Sequence, residues 1–385
     1  MHRRSVLISF ATSPALASTL FAAADSSAST TVDTLRPPPR ALQFPTDFGA
    51  HPQTNTEWWY LTGELQADTR IWGFQVTFFR VATLFAATSP PPSSAPPSRF
   101  APAQLLLAHS ALTDLAAGRL RHDQRLARSG FGVAQARGDD TAVELRDWSL
   151  RRIALPPTSS TSTAAVSRYH ARIASDSAGF ALDLDCDTTQ PVLLQGEAGL
   201  SRKGPGLRDS SRYYSQPQLA TRGTLTLDGK RIAVQGRAWL DHEWSDGYIP
   251  AGAIGWDWIG MNLADGSALT AFRMRRADGS SLYAGGSFRA AGQPARNFAA
   301  DSVRFVPGRV WESSATRARY PVQWTVETPA GRWRVQALLD NQELDSRASS
   351  GAIYWEGLSE LLDANGARVG RGYLEMTGYA AALRF

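Results

Sequence analysis

The chain has 385 residues, 43% of them hydrophobic and 19% charged, with a formal net charge of +5 and a mean hydropathy of -0.26. This composition excludes a disordered chain and a multi-span membrane protein, and so mild a positive charge gives no ground for a nucleic-acid partner. The length exceeds the roughly 250 residues at which a single core usually stops growing, so two domains are expected.

The chain opens with MHRRSVLISFATSPALASTLFAAA, where Arg3 and Arg4 precede an apolar run from Val6 and a tail of small residues ending at Ala24. This is the layout of a cleaved export signal of twin-arginine flavour, and the run is too short and polar for a stable membrane span of about 20 residues. Removal of residues 1–24 takes away two arginines and no acid, lowering the charge from +5 to +3. The expected product is a periplasmic or secreted protein with no stable transmembrane segment. Cys186 is the single cysteine, so no internal disulfide can form, and it reads as a small buried apolar residue.

Residues 25–41 are rich in Ser, Thr and Pro and read as a disordered leader. Two similar stretches, Ala87–Ala103 and Pro156–Ser167, read as inserted loops. The remainder alternates with period 2. Trp72, Phe74, Val76 and Phe78 fall on one face of a strand, with Gly73, Gln75 and Thr77 on the other. Turn dipeptides of the type I′ kind recur at Asp228-Gly229, Asp265-Gly266, Asp278-Gly279 and Asn365-Gly366, which predicts hairpins in series. No window after the signal has the pattern of a long amphipathic helix. An all-β fold follows, its meanders closing into barrels or sandwiches. A composition shift near Ser215–Arg222 suggests domains at 42–218 and 219–385, with eight of the twelve tryptophans beyond the shift.

Several enzyme signatures are missing. There is no GxSxG elbow, and His242-Glu243 is followed by Trp244-Ser245-Asp246 rather than completing HExxH. No cysteine metal site, phosphate loop or dinucleotide fingerprint is present, so neither a metal nor a cofactor is expected.

Two segments carry the candidate chemistry. In Thr56–Leu65, TEWWYLTGEL, Trp58 and Tyr60 share one face and Glu57 and Trp59 the other; either both faces pack or one pair lines a pocket. Trp239–Trp258, WLDHEWSDGYIPAGAIGWDW, holds one His, four carboxylates and four Trp. On a strand, His242 and Trp244 project opposite Asp241 and Glu243, while Trp256 and Trp258 project opposite Asp257. Asp257 is the kind of carboxyl whose desolvation would keep it protonated as a general acid. The blander alternative makes Asp241, His242 and Glu243 a hydrogen-bond network that ties two sheets together. His109, alone in LLLAHSALTD, reads as a core histidine. Tyr213-Tyr214-Ser215 reads as a seal at the domain boundary, with Tyr214 counted among the substrate-contacting candidates.

EWWYLTGEL, AHSALTD, SRYYSQPQL, GRAWLDHEWS, GWDWIGMNLADGSALTAFRMR, YWEG and GYLEMTGY, in this order, resemble the AttH-like, carotenoid 1,2-hydratase (CrtC-like) family, whose members are often labelled predicted secreted hydrolases. The resemblance runs from Leu42 to the C-terminus. It implies two lipocalin-like β domains packed on each other around an apolar pocket, and a hydro-lyase type of activity on isoprenoids. In such hydratases an Asp protonates an alkene, aromatic rings stabilise the cation and a His places water. The family's His-x-Trp pair matches His242 and Trp244, and its Asp corresponds loosely to Asp257, although Gly255 stands here where the hydratases have Tyr. An exported enzyme acting on an isoprenoid or lipid is thus expected, with His242, Asp257 and Trp244 catalytic and Glu57, Trp59, Tyr60, Trp256, Trp258 and Tyr214 against the substrate. The alternative is a carrier that encloses an apolar ligand without chemistry.

Overall fold

The computed structural model describes residues 40–83, 102–156, 166–206, 208–247 and 249–383. The signal segment 1–24, nearly all of the 25–41 leader and most of the two inserted stretches lie outside the described residues. Ala41–Phe385 forms one compact unit. Among the described residues every regular element is a strand except a three-residue 3-10 turn at Thr46–Phe48. Among the described residues no helix is long and apolar enough to cross a membrane.

The fold is all-β: two large lipocalin-like antiparallel sheets, each curled around its own core and packed against the other, with a small two-stranded sheet of Val310–Glu312 and Arg319–Pro321 beside them. The first has 13 strands and holds everything from Thr56 to Ser245; the second has 10 and runs from Gly255 to Thr377. The hairpin of Ser210–Leu227 and Lys230–Ser245, on either side of the composition shift, belongs whole to the first sheet. The first sheet curls until its far strands meet: Arg125 on the fourth strand donates to Ala174 O at 2.9 Å, and Ser175 Oγ donates to Asp123 at 2.7 Å.

Alternation decides which way each side chain points, and three apolar layers result. Trp72, Phe74, Val76 and Phe78 are fully buried inside the first sheet with Trp59, Leu61, Leu240 and Cys186. Ile259, Met261, Leu374 and Met376 fill the second. Between the sheets lies a third layer of Tyr60, Trp239, Trp258, Phe272, Leu358 and Tyr373. Gln75 and Thr77, on the face of their strand that the pattern marks as polar, are buried too, because the second sheet covers them.

All four expected hairpins form. Asp228-Gly229 (φ 49° and 79°) is a two-residue type I′ turn. At Gly266, Gly279 and Gly366 the loops are longer: only the glycine has positive φ (88°, 82° and 82°), and its N–H donates three residues back. These are type I turns closed by a left-handed glycine, in which the preceding Asp or Asn keeps an ordinary φ.

Candidate active site between the sheets

The central strand of the first sheet, Lys230–Ser245, is paired on both edges and buried on both faces from Trp239 onward. Its even residues enter the first core and its odd residues meet the second sheet. Two different polar sites result, back to back on one strand.

On the inner face, His242 Nε2 and His51 Nδ1 each lie 2.8 Å from Glu57 Oε1, while Arg80 Nε donates to Glu57 Oε2 at 2.8 Å. The outer ends are also taken. His242 Nδ1 meets the Tyr214 hydroxyl at 3.0 Å, and His51 Nε2 meets Asp47 Oδ1 at 3.1 Å. Trp244 stacks on His51 at 3.7 Å and Trp59 on His242 at 4.7 Å. Burial pushes His242 down to about 4 despite Glu57, so it is neutral, donating Nε2–H and accepting from Tyr214. For His51 burial works against the charge, but the bonds to Asp47 and Glu57 outweigh it and raise its pKa. Glu57 lies well below the usual carboxylate range, since bonds from both imidazoles overcome its burial. His51, Glu57 and His242 present ligand atoms within 4.8 Å of one another, a spacing that could hold a metal ion. A divalent ion there would have to displace the protons between those atoms and sit beside the buried Arg80 guanidinium, so the donor set fits a proton-linked lock better than a metal site.

On the outer face a cavity of about 320 Å³ opens between the sheets. Trp58, Tyr60, Phe79 and Leu107 form one wall, and Trp256, Trp258, Phe272 and Met274 the other. Into this apolar space project four carboxyls, from Asp241, Glu243, Glu356 and Glu375, against one lysine, Lys203. Asp241 accepts from Tyr213 (2.8 Å), Ser215 (2.5 Å) and Trp239 (2.7 Å), yet burial raises its pKa to about 7. Glu356 and Glu375 are register partners on neighbouring strands. Burial raises both, Glu375 to about 7, and the charge of Glu375 raises Glu356 further. Gln75 Nε2 donates to Glu356 Oε2 at 2.8 Å, whereas Glu356 Oε1 is buried with no hydrogen-bond partner among the described residues. The Tyr60 hydroxyl lies beside it without closing a hydrogen bond. Such an oxygen is a poor home for negative charge and a good one for a proton.

His109 is buried and borders the same cavity. Its Nδ1 is 2.8 Å from the Tyr354 hydroxyl and its Nε2 2.8 Å from Ser349 Oγ, so it bridges the sheets as a neutral ring whose pKa burial pushes down to about 3. Ser349 donates to Gln124 at 2.6 Å, which assigns the His109 proton to Nε2.

The sequence candidates are therefore divided among three places. Tyr60, Trp256 and Trp258 border the cavity, and so does Glu57, although its carboxylate is committed to the inner lock. His242, Trp244, Trp59 and Tyr214 belong to the inner face; it is Tyr213 that reaches the cavity. Asp257 faces the second core, where Arg273 Nε donates to it at 2.6 Å and Tyr379 at 2.8 Å. Asp257 is thus a paired carboxylate on the opposite side of its strand from the two indoles. Glu356 and Glu375 were not singled out from sequence; each is a lone acid in an apolar strand segment, and that was the available signal.

The AttH-like family model matches residues 36–379. An AttH protein of known structure from Nitrosomonas europaea is 45% identical, covering 89% of this chain and 98% of that one, with a TM-score of 0.78. Kievitone hydratase from Nectria haematococca shares the fold at 14% identity, covering 89% of this chain and 94% of its own, with a TM-score of 0.60. The dehydratase asqC of Emericella nidulans is 25% identical over 168 residues, 41% of this chain; the match spans less than half of that relative's length, 46%.

Proposed function

Because the chain belongs to the AttH-like family, we propose that it binds an apolar isoprenoid or lipid in the cavity between its sheets and adds or removes water at a carbon–carbon double bond. The observation that carries this reading is Glu356: a carboxyl whose pKa is raised by burial, with one oxygen unpartnered, facing aromatic walls beside a second carboxyl. The names of two relatives, a hydratase and a dehydratase, support water as the second reactant.

In the hydration direction, Glu356 Oε1–H donates its proton to one alkene carbon, the π electrons forming the new C–H bond. The neighbouring carbon becomes cationic against the faces of Trp256, Trp258 and Tyr60. Water attacks it and gives its proton to the Glu375 carboxylate. One proton passing back between the two acids restores the starting state. Dehydration is the reverse. His242 and Asp257 then hold the two sheets in shape without meeting the ligand.

The test is mass spectrometry of isoprenoid alkenes incubated with the protein in ¹⁸O-water. Wild-type protein incorporates the label; Glu356→Gln loses turnover by roughly 100-fold or more while still binding the alkene. Full activity in that variant would move the acid to Asp241 or Glu375, and binding without turnover by the wild type would make the protein a carrier. Export is likewise our reading of residues 1–24, checked by N-terminal sequencing of the mature protein.

A further inference from the structure

Lysine is rare in this chain: Lys203 and Lys230 are the only two among forty basic residues, all the others being arginine. Lys230 is exposed at the start of a strand. Lys203 is 7% exposed and borders the cavity. Its backbone fixes it there, for its N–H donates to Asp209 O at 2.7 Å. The adjoining Gly204 is pressed against Asp209 and Pro250, at 2.5 and 2.8 Å from where a Cβ would stand.

The surroundings of the amine set its chemistry. Lys203 Nζ lies 4.5 Å from the centroid of Phe272 and 4.8 Å from that of Tyr213, and its one ion-pair partner among the described residues is Glu243 Oε1 at 2.8 Å. A guanidinium at this place would stay charged and inert, whereas a buried amine can give up its proton. Glu243, at ion-pair distance, is the base that takes this proton when a carbonyl enters the cavity. The neutral amine is then a nucleophile facing an apolar cavity, with a proton donor at hydrogen-bond distance. Carbonyl carbon is what such a pair acts upon.

We propose that Lys203 condenses reversibly with the carbonyl of an apolar aldehyde or ketone to form a protonated imine. The proposal rests on the reading of the cavity as a ligand site. The Nζ lone pair attacks the carbonyl carbon, the C=O π electrons move to oxygen, and a proton moves from nitrogen to that oxygen. Glu243 then returns its proton to the resulting hydroxyl, which leaves as water as the C=N bond forms. The product is an iminium paired with the Glu243 carboxylate, so charge and atoms balance against the starting ammonium–carboxylate pair plus aldehyde.

Retinal and retinol share one polyene and differ at the reacting carbon, so they separate the two readings. Retinol binding, followed by tryptophan quenching, reports on the cavity alone. Retinal with cyanoborohydride is expected to give one covalent adduct by intact mass, mapping to the peptide that contains Lys203. Lys203→Arg, which keeps the pairing with Glu243, and Lys203→Met are both expected to lose the adduct while binding retinol as the wild type does; Lys230→Met keeps it. An adduct that survives in both Lys203 variants, or its absence from the wild type, overturns the proposal. With retinol bound, that failure belongs to Lys203 alone; with retinol unbound, the cavity reading has failed as well.

Discussion

Two polar sites share one strand of this protein, and they treat buried charge in opposite ways. Around Glu57 each carboxylate oxygen meets at least two donors, from the His51 backbone, the two imidazoles and Arg80, which close the network. Around Glu356 the second sheet brings two carboxyls together and leaves an oxygen with no partner among the described residues. A satisfied network holds a fold; an unsatisfied one in an apolar cavity stores reactivity. Residue type alone does not separate the two, since it is the histidine-rich site whose carboxylate is fully bonded.

The largest expected effect tests the reactive side. Glu356→Gln costs roughly 100-fold to 10,000-fold in turnover, measured as labelled water incorporated per minute, with alkene affinity unchanged. Equal losses of affinity and turnover would mean that Glu356 only shapes the cavity. Next comes the lock: Arg80→Met strips a guanidinium from a buried carboxylate and should destabilise the protein by about 3–5 kcal/mol in denaturant titrations. By contrast, Glu375→Gln relieves repulsion between neighbouring carboxyls and should leave stability unchanged or improved. If these two variants behave alike, the distinction between the sites fails.

The pH dependence follows the same division. Asp241, Glu356 and Glu375 have raised pKa values in the folded protein, so they favour folding below the ordinary carboxyl range; Asp241 and Glu375 lose that contribution as pH rises through about 7, and Glu356 loses its own as pH rises through its raised pKa. Glu57 has the opposite sign, its contribution disappearing only in strong acid. Thermal denaturation should therefore show the melting temperature falling between pH 5 and pH 9, with a shallower fall in Glu375→Gln. The smallest effect concerns the cavity wall. A Cβ at Gly260 would lie 2.3 Å from the Trp258 ring, so Gly260→Ala should push that indole toward the cavity and weaken binding by about 1–3 kcal/mol, more for bulkier ligands.

Much of the architecture was legible because alternation is a local property. The face of Trp72 to Phe78, the hairpin glycines and the division of Asp241 from His242 can all be read without knowing which strands pair. What could not be read is which side of a strand meets the cavity, because Trp239–Ser245 is covered on both sides and neither face looks like solvent. Asp257 illustrates the same limit: its alternation from Trp256 and Trp258 is visible, but not that Arg273 and Tyr379 wait on its side. The pairing of Glu356 with Glu375 depends on register between two strands, which no single segment encodes.

The two adjacent tyrosines carry the point furthest. Strand Ser210–Leu227 pairs with Lys230–Ser245 in one register up to Gln216 and in a register shifted by one from Leu219, with Gln218 at φ 58° in the bulge between. Before the shift Tyr214 faces inward to His242 and Tyr213 is turned outward to Asp241; after it odd residues such as Leu219 and Leu225 face the first core. The parity of the strand is set by one inserted residue. Loss of a single codon between Gln216 and Leu219 would exchange the two tyrosines without altering either, so the lining of this cavity can be rewired by insertion and deletion as readily as by substitution.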